Sequence, residues 1–189
     1  MRKLLVLSLI LGLCALTAWP PLAKDSKAEA QAKIRSAAQS ILKKLYGVNP
    51  KAKAAIEQSA GYAVFSNFGM KILVAGGGSG KGLAVNRKTK KEVFMKMAEI
   101  QAGLGFGVKK FQLVWVFETE TALNQFIDSG WEIGGQATAA ATTGDKGAAY
   151  QGAVAVAPGI WLYQMTDKGL ALELTAKGTK YYKDKDLNE

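Results

Sequence analysis

The side chains best suited to chemistry in this sequence are basic, and they occur in three clusters. Lysine and arginine number 25 against 15 aspartates and glutamates, which gives a formal net charge of +10. Clustered ammonium and guanidinium groups attract anions and donate hydrogen bonds to phosphate or carboxylate oxygens. A single surface lysine is usually only solvated, so the prediction of anion binding depends on the clustering of the basic residues. The predicted anion-binding residues are Lys33, Arg35, Lys43 and Lys44, then Arg87, Lys88, Lys90 and Lys91, and finally Lys109 and Lys110.

The usual catalytic apparatus is largely missing. The sequence contains no histidine and one cysteine, Cys14, which argues against imidazole bases and against zinc sites built from Cys or His ligands. Glu118 and Glu120 flank the end of a predicted strand, where two carboxylates can act as an acid–base pair. The simpler interpretation is that they favour the N-terminus of the following helix. We therefore predict a protein that is not an enzyme and uses no cofactor or metal.

The segment 75–82, AGGGSGKG, is rich in glycine and contains a Gly-Lys pair, as a phosphate-binding P-loop does. That motif requires glycine five residues before its Gly-Lys pair and serine or threonine after the lysine. Ala75 and Gly82 occupy these two positions, and no helix is predicted to follow and receive a phosphate. Nucleotide binding is therefore not predicted, and we expect a glycine-rich turn or bulge within a sheet.

Residues 1–23 are typical of a secretory signal peptide. Arg2 and Lys3 precede an almost unbroken apolar run from Leu4 to Leu16, and Pro20-Pro21 ends it. This run is short for a membrane-spanning helix, which needs about 20 apolar residues, and a charged beginning with a small residue before the cleavage point is the usual layout of an export signal. We expect an exported protein, periplasmic or secreted, that can lie on a membrane surface.

Cleavage is expected after Ala23, with Ala18 as the alternative. The remaining residues 24–189 fit one domain, and its charge is +8, which is +10 less the charges of Arg2 and Lys3. Lipidation at Cys14 is a second possibility, because lipidated bacterial proteins carry a cysteine at the end of such a run. Leu13 stands where a small residue is expected before a lipidated cysteine.

Two helices are predicted at the start of this domain and one further along. In residues 25–46, apolar residues recur on one helical face, and Gly47 can end the helix. A second helix is predicted from Asn49 to Ala60, and a third from Glu118 to Ser129. The apolar face of the first helix consists of Ile34, Ala38, Ile41, Leu42 and Leu45.

The rest of the chain is predicted to form about eight strands around the stretch 101–117. There Gly103, Gly105 and Gly107 alternate with bulky residues, so one strand face is bare backbone, and we expect Gly105 to face a closely packed neighbour. Short connections favour antiparallel pairing. The predicted fold class is α+β, with a predominantly antiparallel, strongly curved sheet or partial barrel, two N-terminal helices and one inserted helix. The other predicted strands are 62–66, 71–75, 83–85, 92–97, 131–142, 153–157, 160–166 and 170–176.

Four segments in this order resemble the SYLF domain, a lipid-binding family. They are Gly61–Phe65 after a helix, the glycine-rich Ala75–Gly82, the alternating Gly103–Gly107 with the apolar strand after it, and Phe126–Gly134. The similarity extends from about residue 27 to Tyr182. Eukaryotic members sit beside SH3 or FYVE modules, bind phosphoinositides and in some cases actin, whereas bacterial members are exported. This chain resembles the bacterial type, so phosphoinositide and actin binding are not carried over.

The resemblance and the charge together predict binding of anionic phospholipid or a membrane surface, through surface charge and not through a deep pocket. Basic surfaces also attract nucleic acid, but predicted export and the lack of a recognisable nucleic-acid module argue against that partner. The alternative is a structural or interaction protein of the cell envelope that binds a protein or glycan. Trp161 and Tyr163 share a strand face and would serve that role if exposed, although a place in the core is the simpler expectation.

Overall fold

The computed structural model describes residues 26–72, 75–102, 107–133, 149–166, 169–171 and 178–189. The helices in these ranges are α1 (Lys27–Val48), α2 (Pro50–Gln58), α3 (Glu120–Asp128) and α4 (Lys185–Asn188). The strands are β1 (Gly61–Ile72), β2 (Ala75–Asn86), β3 (Glu92–Ala102), β4 (Gly107–Phe117), β5 (Trp131–Ile133), β6 (Val154–Ala157), β7 (Ile160–Thr166), β8 (Gly169–Ala171) and β9 (Thr179–Lys183).

The strands form one antiparallel sheet that curls strongly into a half-barrel. Its order is β5-β9-β3-β2-β1-β4-β7-β6, and β8 pairs with β7. The long strands β1 and β4 lie near the middle, paired from Gly61 opposite Phe117 to Lys71 opposite Gly107. The predicted α+β class with a curved antiparallel sheet is therefore confirmed.

Two hydrophobic cores lie on opposite faces of the sheet, because successive residues of a strand point to opposite faces. Phe65 and Trp115 belong to the core beneath α3, whereas their neighbours Val64 and Val114 belong to the core beneath α1. Helix α1 begins at the cap residue Ser26, whose side chain accepts a hydrogen bond from the Glu29 N–H at 3.2 Å. Its buried residues, spaced as predicted, are Ile34, Ala38, Ile41 and Leu45.

The glycine-rich segment is not the predicted turn or bulge. Residues 75–82 lie inside β2, which is paired along this segment with β1 on one side and β3 on the other. Gly82 stands directly opposite Phe65, and a Cβ at position 82 would overlap the Phe65 ring. Gly80 stands opposite Met97, and a Cβ there would come within 2.7 Å of the Met97 Cγ. Large side chains on the neighbouring strands occupy the space that these glycines leave.

Several predicted boundaries are also wrong. The segments 62–66 and 71–75 were expected as two strands, but Lys71 and Ile72 continue β1. Residues 83–85, expected as a separate strand, belong to β2, which runs from Ala75 to Asn86. Periodicity misplaces these limits because glycine-rich stretches look like turns. The predictions for Gly103 and Gly105 lie outside the described residues.

We predict that Gly82→Ala destabilises the protein, whereas Gly47→Ala does not. The new methyl group at position 82 meets the Phe65 ring and the Val64 carbonyl oxygen, and overpacking of this kind costs about 1–3 kcal/mol. Position 47 lies in α1 with no atom within 4 Å of the added methyl, where alanine is favoured over glycine by up to about 1 kcal/mol. Urea unfolding of both variants measures the difference. Equal stability of the two variants would contradict the close packing at Gly82.

Candidate functional site

The predicted basic turn between β2 and β3 is present and rigidly built. The Asn86 side-chain oxygen accepts hydrogen bonds from the N–H groups of Lys88 and Thr89, at 3.0 and 2.9 Å. The Asn86 N–H donates to the Lys91 carbonyl at 3.0 Å and closes the turn. Lys90 has a φ of 60°, the left-handed conformation that such tight turns require. These local hydrogen bonds close the turn and satisfy the backbone N–H groups of Asn86, Lys88 and Thr89.

Three of the four basic side chains of the turn project into solvent. Lys88, Lys90 and Lys91 are exposed and form no ion pair with any residue in the described ranges. Arg87 is only partly exposed, and its backbone N–H donates to the Ala60 carbonyl at 3.0 Å. The Arg87 Nη1 lies 3.4 Å from the Ser59 carbonyl oxygen. Arg87 thus anchors the turn, and the three lysines carry its free charge.

Arg35 on α1 makes contacts within the protein. Its Nε donates to the Glu92 Oε2 at 2.6 Å, and its guanidinium carbon lies 5.0 Å from the centre of the Phe94 ring. Because Glu92 directly follows the turn, this ion pair places Arg35 of α1 beside the base of the turn. Burial raises the pKa values of Tyr46 and Tyr62, and the positive charge of Arg87 opposes both shifts. Tyr46 near the end of α1 and Tyr62 at the start of β1 are therefore both within the electrostatic influence of the Arg87 charge.

The other basic residues of α1 differ in their surroundings. Lys33 pairs with Glu29 one helical turn earlier at 3.3 Å, and the Lys44 Nζ lies 3.3 Å from the Thr166 carbonyl oxygen. Lys43 is exposed and has no ion-pair partner within the described part of the chain. Of the four predicted residues on α1, Lys43 therefore most resembles the lysines of the turn.

The predicted pair Lys109–Lys110 is not part of the same surface. In β4 these residues stand opposite Gly69 and Phe68 of β1, whereas the turn lies beside Gly61 at the other end of that strand. Eight residues of a strand span roughly 26 Å. The fold therefore brings together the end of α1 and the turn, and it places Lys109–Lys110 far from both.

A groove that the sequence analysis missed lies between α1 and the sheet. Its volume is about 560 Å³. A row of directly paired residues on four strands lines the sheet side, consisting of Ser66, Lys81, Lys96 and Tyr182. The groove could have been anticipated from the alternation of side chains along β2. This alternation places Lys81 on the same face as Leu83, which packs beneath α1.

The two lysines of this row are in different electrostatic environments. The Lys96 Nζ lies 2.8 Å from the Asp184 Oδ1 and 3.0 Å from the Asp186 Oδ2. The hydrogen bonds that the Lys96 ammonium donates to these two carboxylates raise the pKa of Lys96. Lys81, its direct cross-strand neighbour, is exposed and has no ion-pair partner among the residues described. Of the three lysines that line the groove, Lys33 and Lys96 are therefore paired with carboxylates, whereas Lys81 has no ion-pair partner within the described ranges.

The candidate acids and aromatic residues have structural roles. Thr119 caps α3 by accepting a hydrogen bond from the Ala122 N–H at 3.2 Å, and Glu120 lies in the first helical turn. The Glu118 carboxylate accepts a hydrogen bond from the Trp161 Nε1 at 2.9 Å. Tyr163 is fully buried and Trp161 is partly buried. Glu120 and the buried Tyr163 agree with the simpler interpretations, whereas the contact of the Glu118 carboxylate with the Trp161 indole was not predicted.

The described ranges contain no group of three or more metal-ligating side chains of the Cys, His, Asp or Glu type. Within the same ranges, no helix has the length and apolar character needed to cross a membrane.

We predict that Arg35 contributes to stability through Glu92. The two side chains are 42% and 33% exposed, so solvent screens the pair, and a coupling of about 0.2–1 kcal/mol is expected. Arg35→Ala, Glu92→Ala and the double variant, compared by urea unfolding, form a thermodynamic cycle. Lys43→Ala is the control and should change stability by less than about 0.5 kcal/mol. Strict additivity of the Arg35 and Glu92 substitutions would contradict the interaction.

Two comparisons with known proteins identify sequences to which this chain is similar. Residues 98–189 match the family model described as Ysc84, Las17-binding protein actin regulator. The chain is also 34% identical over 163 residues to beta cell expansion factor A of Aeromonas veronii, an alignment that covers 85% of this chain. It covers 60% of the relative, so the chain spans well under the full length of that protein. Residues 98–189 match a domain of the Ysc84/SYLF family, which confirms the predicted resemblance to the SYLF family.

Proposed function

We propose that this protein binds anionic phospholipid, or the surface of an anionic membrane, without catalysing a reaction. The observation that carries the proposal is the rigid turn that holds Lys88, Lys90 and Lys91 in solvent without ion-pair partners in the described ranges. The match to this family supports a lipid- or actin-related binding domain in general. The chemistry of the turn makes a phosphate-bearing surface the best-matched ligand.

Electrostatic attraction is large enough to account for such binding. A lysine or arginine close to an anionic membrane contributes about 1 kcal/mol. The hydrogen bonds of Asn86 hold the turn in its exposed conformation before binding, so little ordering of the backbone is needed. Lys43 adds a further exposed charge on α1. We propose these lysines as the main contacts, with Arg35 and Arg87 in supporting structural roles.

The setting we propose is the bacterial cell envelope. The signal-peptide features of residues 1–23 support export, and an exported basic protein meets anionic phospholipid on the membrane surface. The periplasm and the outside of the cell both satisfy this proposal. Intact mass of the protein recovered from the envelope tests it, since cleavage near Ala23 without an added lipid is expected.

The second candidate is a structural or interaction protein of the envelope that binds a protein or a glycan. The observation that favours a protein partner is the description of the matching family as Las17-binding and actin-regulating. An acidic protein surface would also be attracted to the lysine turn. Binding to protein-free vesicles distinguishes the two candidates, because only the lipid proposal predicts it.

We predict that reversing the charges of Lys88, Lys90 and Lys91 to glutamate reduces binding to phosphatidylglycerol vesicles more than tenfold, because three local attractions of about 1 kcal/mol each become repulsions. Reversal of Lys27, Lys180 and Lys185, which are exposed elsewhere, changes the net charge equally and serves as the control. Co-sedimentation of both variants with vesicles measures the effect. Equal losses in the two variants would show that net charge, and not the turn, governs binding.

A salt series on the unaltered protein tests the same mechanism. The Debye length falls from about 10 Å at 0.1 M salt to about 3 Å at 1 M, so binding to phosphatidylglycerol vesicles should weaken strongly across this range. Phosphatidylcholine vesicles, which carry no net charge, should bind poorly throughout. Binding that is equal for the two vesicle types would refute the proposed electrostatic mechanism.

A further inference from the structure

The groove between α1 and the sheet has one apolar wall and one polar wall. The helix contributes Ala30, Ile34, Ala37 and Ile41 to it, and Val64 of β1 adds to the apolar part. Small side chains at positions 30 and 37 leave the space open, because a larger residue at either position would extend into it. The volume of about 560 Å³ is within the range of roughly 300–1,000 Å³ that is typical of small-molecule sites.

The polar wall contains an unbalanced positive charge. Lys81 and Lys96 are direct cross-strand partners, and like charges in this arrangement repel each other. Asp184 and Asp186 compensate Lys96, at 2.8 and 3.0 Å, but no described residue is an ion-pair partner of Lys81. An anionic group bound beside Lys81 would remove this imbalance.

We propose that the groove binds one acyl chain of an anionic phospholipid, with the chain along the apolar wall of α1 and the phosphate beside Lys81. This inference rests on the proposed function and deepens it. The lysine turn brings the protein to the membrane, and the groove holds a single lipid molecule. The site differs from the surface-charge mode expected from the sequence, because its selectivity depends on the chain as well as on the head group.

The combination of features favours an amphiphile over other anions. A free phosphate would be held by Lys81 without using the apolar wall, and an acidic peptide would need more cations than the one unbalanced lysine of the groove. Tyr182, 39% exposed at the end of the polar row, adds an aromatic surface with a polar tip of the kind that sits at lipid–water boundaries. A single-chain lipid uses all of these features together.

Calorimetric titration with lysophosphatidylglycerol below its critical micelle concentration tests the proposal. We expect saturable binding of one molecule per chain. Lysophosphatidylcholine should bind about fivefold more weakly, because its head group has no net charge. Glycerophosphoglycerol, the same head group without a chain, should bind at least about a hundredfold more weakly, because it buries no methylene groups.

Two substitutions locate the site. Ala37→Trp places a large ring in the groove at an exposed helix position and should weaken lysophosphatidylglycerol binding at least about tenfold, because it removes space that the chain needs. Ala32→Trp, on an exposed part of α1 outside the groove, is the matched control and should bind normally. Thermal melts of both variants establish that each is folded.

Lys81→Gln separates a binding role from a structural one. The variant should bind lysophosphatidylglycerol about fivefold more weakly, and its melting temperature should be unchanged or higher, because the repulsion with Lys96 is removed. A lower melting temperature together with unchanged affinity would show that Lys81 is only structural. Lys81→Arg retains the charge and should retain binding.

The outcomes for the groove and for the lysine turn are distinguishable. Absence of saturable lysophosphatidylglycerol binding, or normal binding by Ala37→Trp, would overturn the groove proposal while leaving salt-dependent vesicle binding intact. Equal affinity for glycerophosphoglycerol would identify a phosphate site without a chain and would also overturn it. The triple glutamate variant of Lys88, Lys90 and Lys91 should lose vesicle binding and keep lysophosphatidylglycerol binding.

Discussion

The close fit between Gly82 and the Phe65 ring is the constraint on which the rest of the structure depends. Any side chain at position 82 would enter the space of that ring, so β2 must carry glycine where it passes this part of β1. The Phe65 ring in turn contacts Tyr181 of β9 at 4.9 Å and Phe126 of α3 at 6.2 Å between ring centres. The absence of a side chain at Gly82 therefore leaves room for the Phe65 ring, which packs the sheet against α3.

The same strand presents a different surface to α1. Because side chains alternate, the face opposite the aromatic core carries Lys81 and Leu83, and Leu83 is buried beneath the helix. Lys81 lines the groove between α1 and the sheet, and its side chain remains exposed there. Strand β2 thus contributes Gly82 to the aromatic core, Leu83 to the core beneath α1 and Lys81 to the groove.

The basic residues of the chain divide into structural and exposed groups. Arg35 and Arg87 contact Glu92 and the Ser59 carbonyl oxygen, as expected of guanidinium groups, whose planar donors suit fixed geometry. Lysines occupy the exposed positions of the turn, where a flexible, hydrated ammonium group retains its freedom. The two arginines therefore contribute to the fold, whereas the lysines of the turn leave their positive charge exposed at the surface.

The class of fold, the three longer helices, the basic turn and the resemblance to the SYLF family could be predicted from the sequence, because they depend on periodicity, capping and local motifs. The prediction for residues 75–82 was wrong, because a run of glycines usually indicates a turn. In this protein the glycines lie within a strand and make room for large side chains of the neighbouring strands, an arrangement that exists only in the folded sheet. The pairing of Arg35 with Glu92, 57 positions away, and the place of Lys81 beside a groove could not be predicted, because both depend on contacts between distant elements. The sequence shows which side chains are charged. It does not show which of them form ion pairs, because partners such as Glu92 and Asp184 lie far along the chain from Arg35 and Lys96.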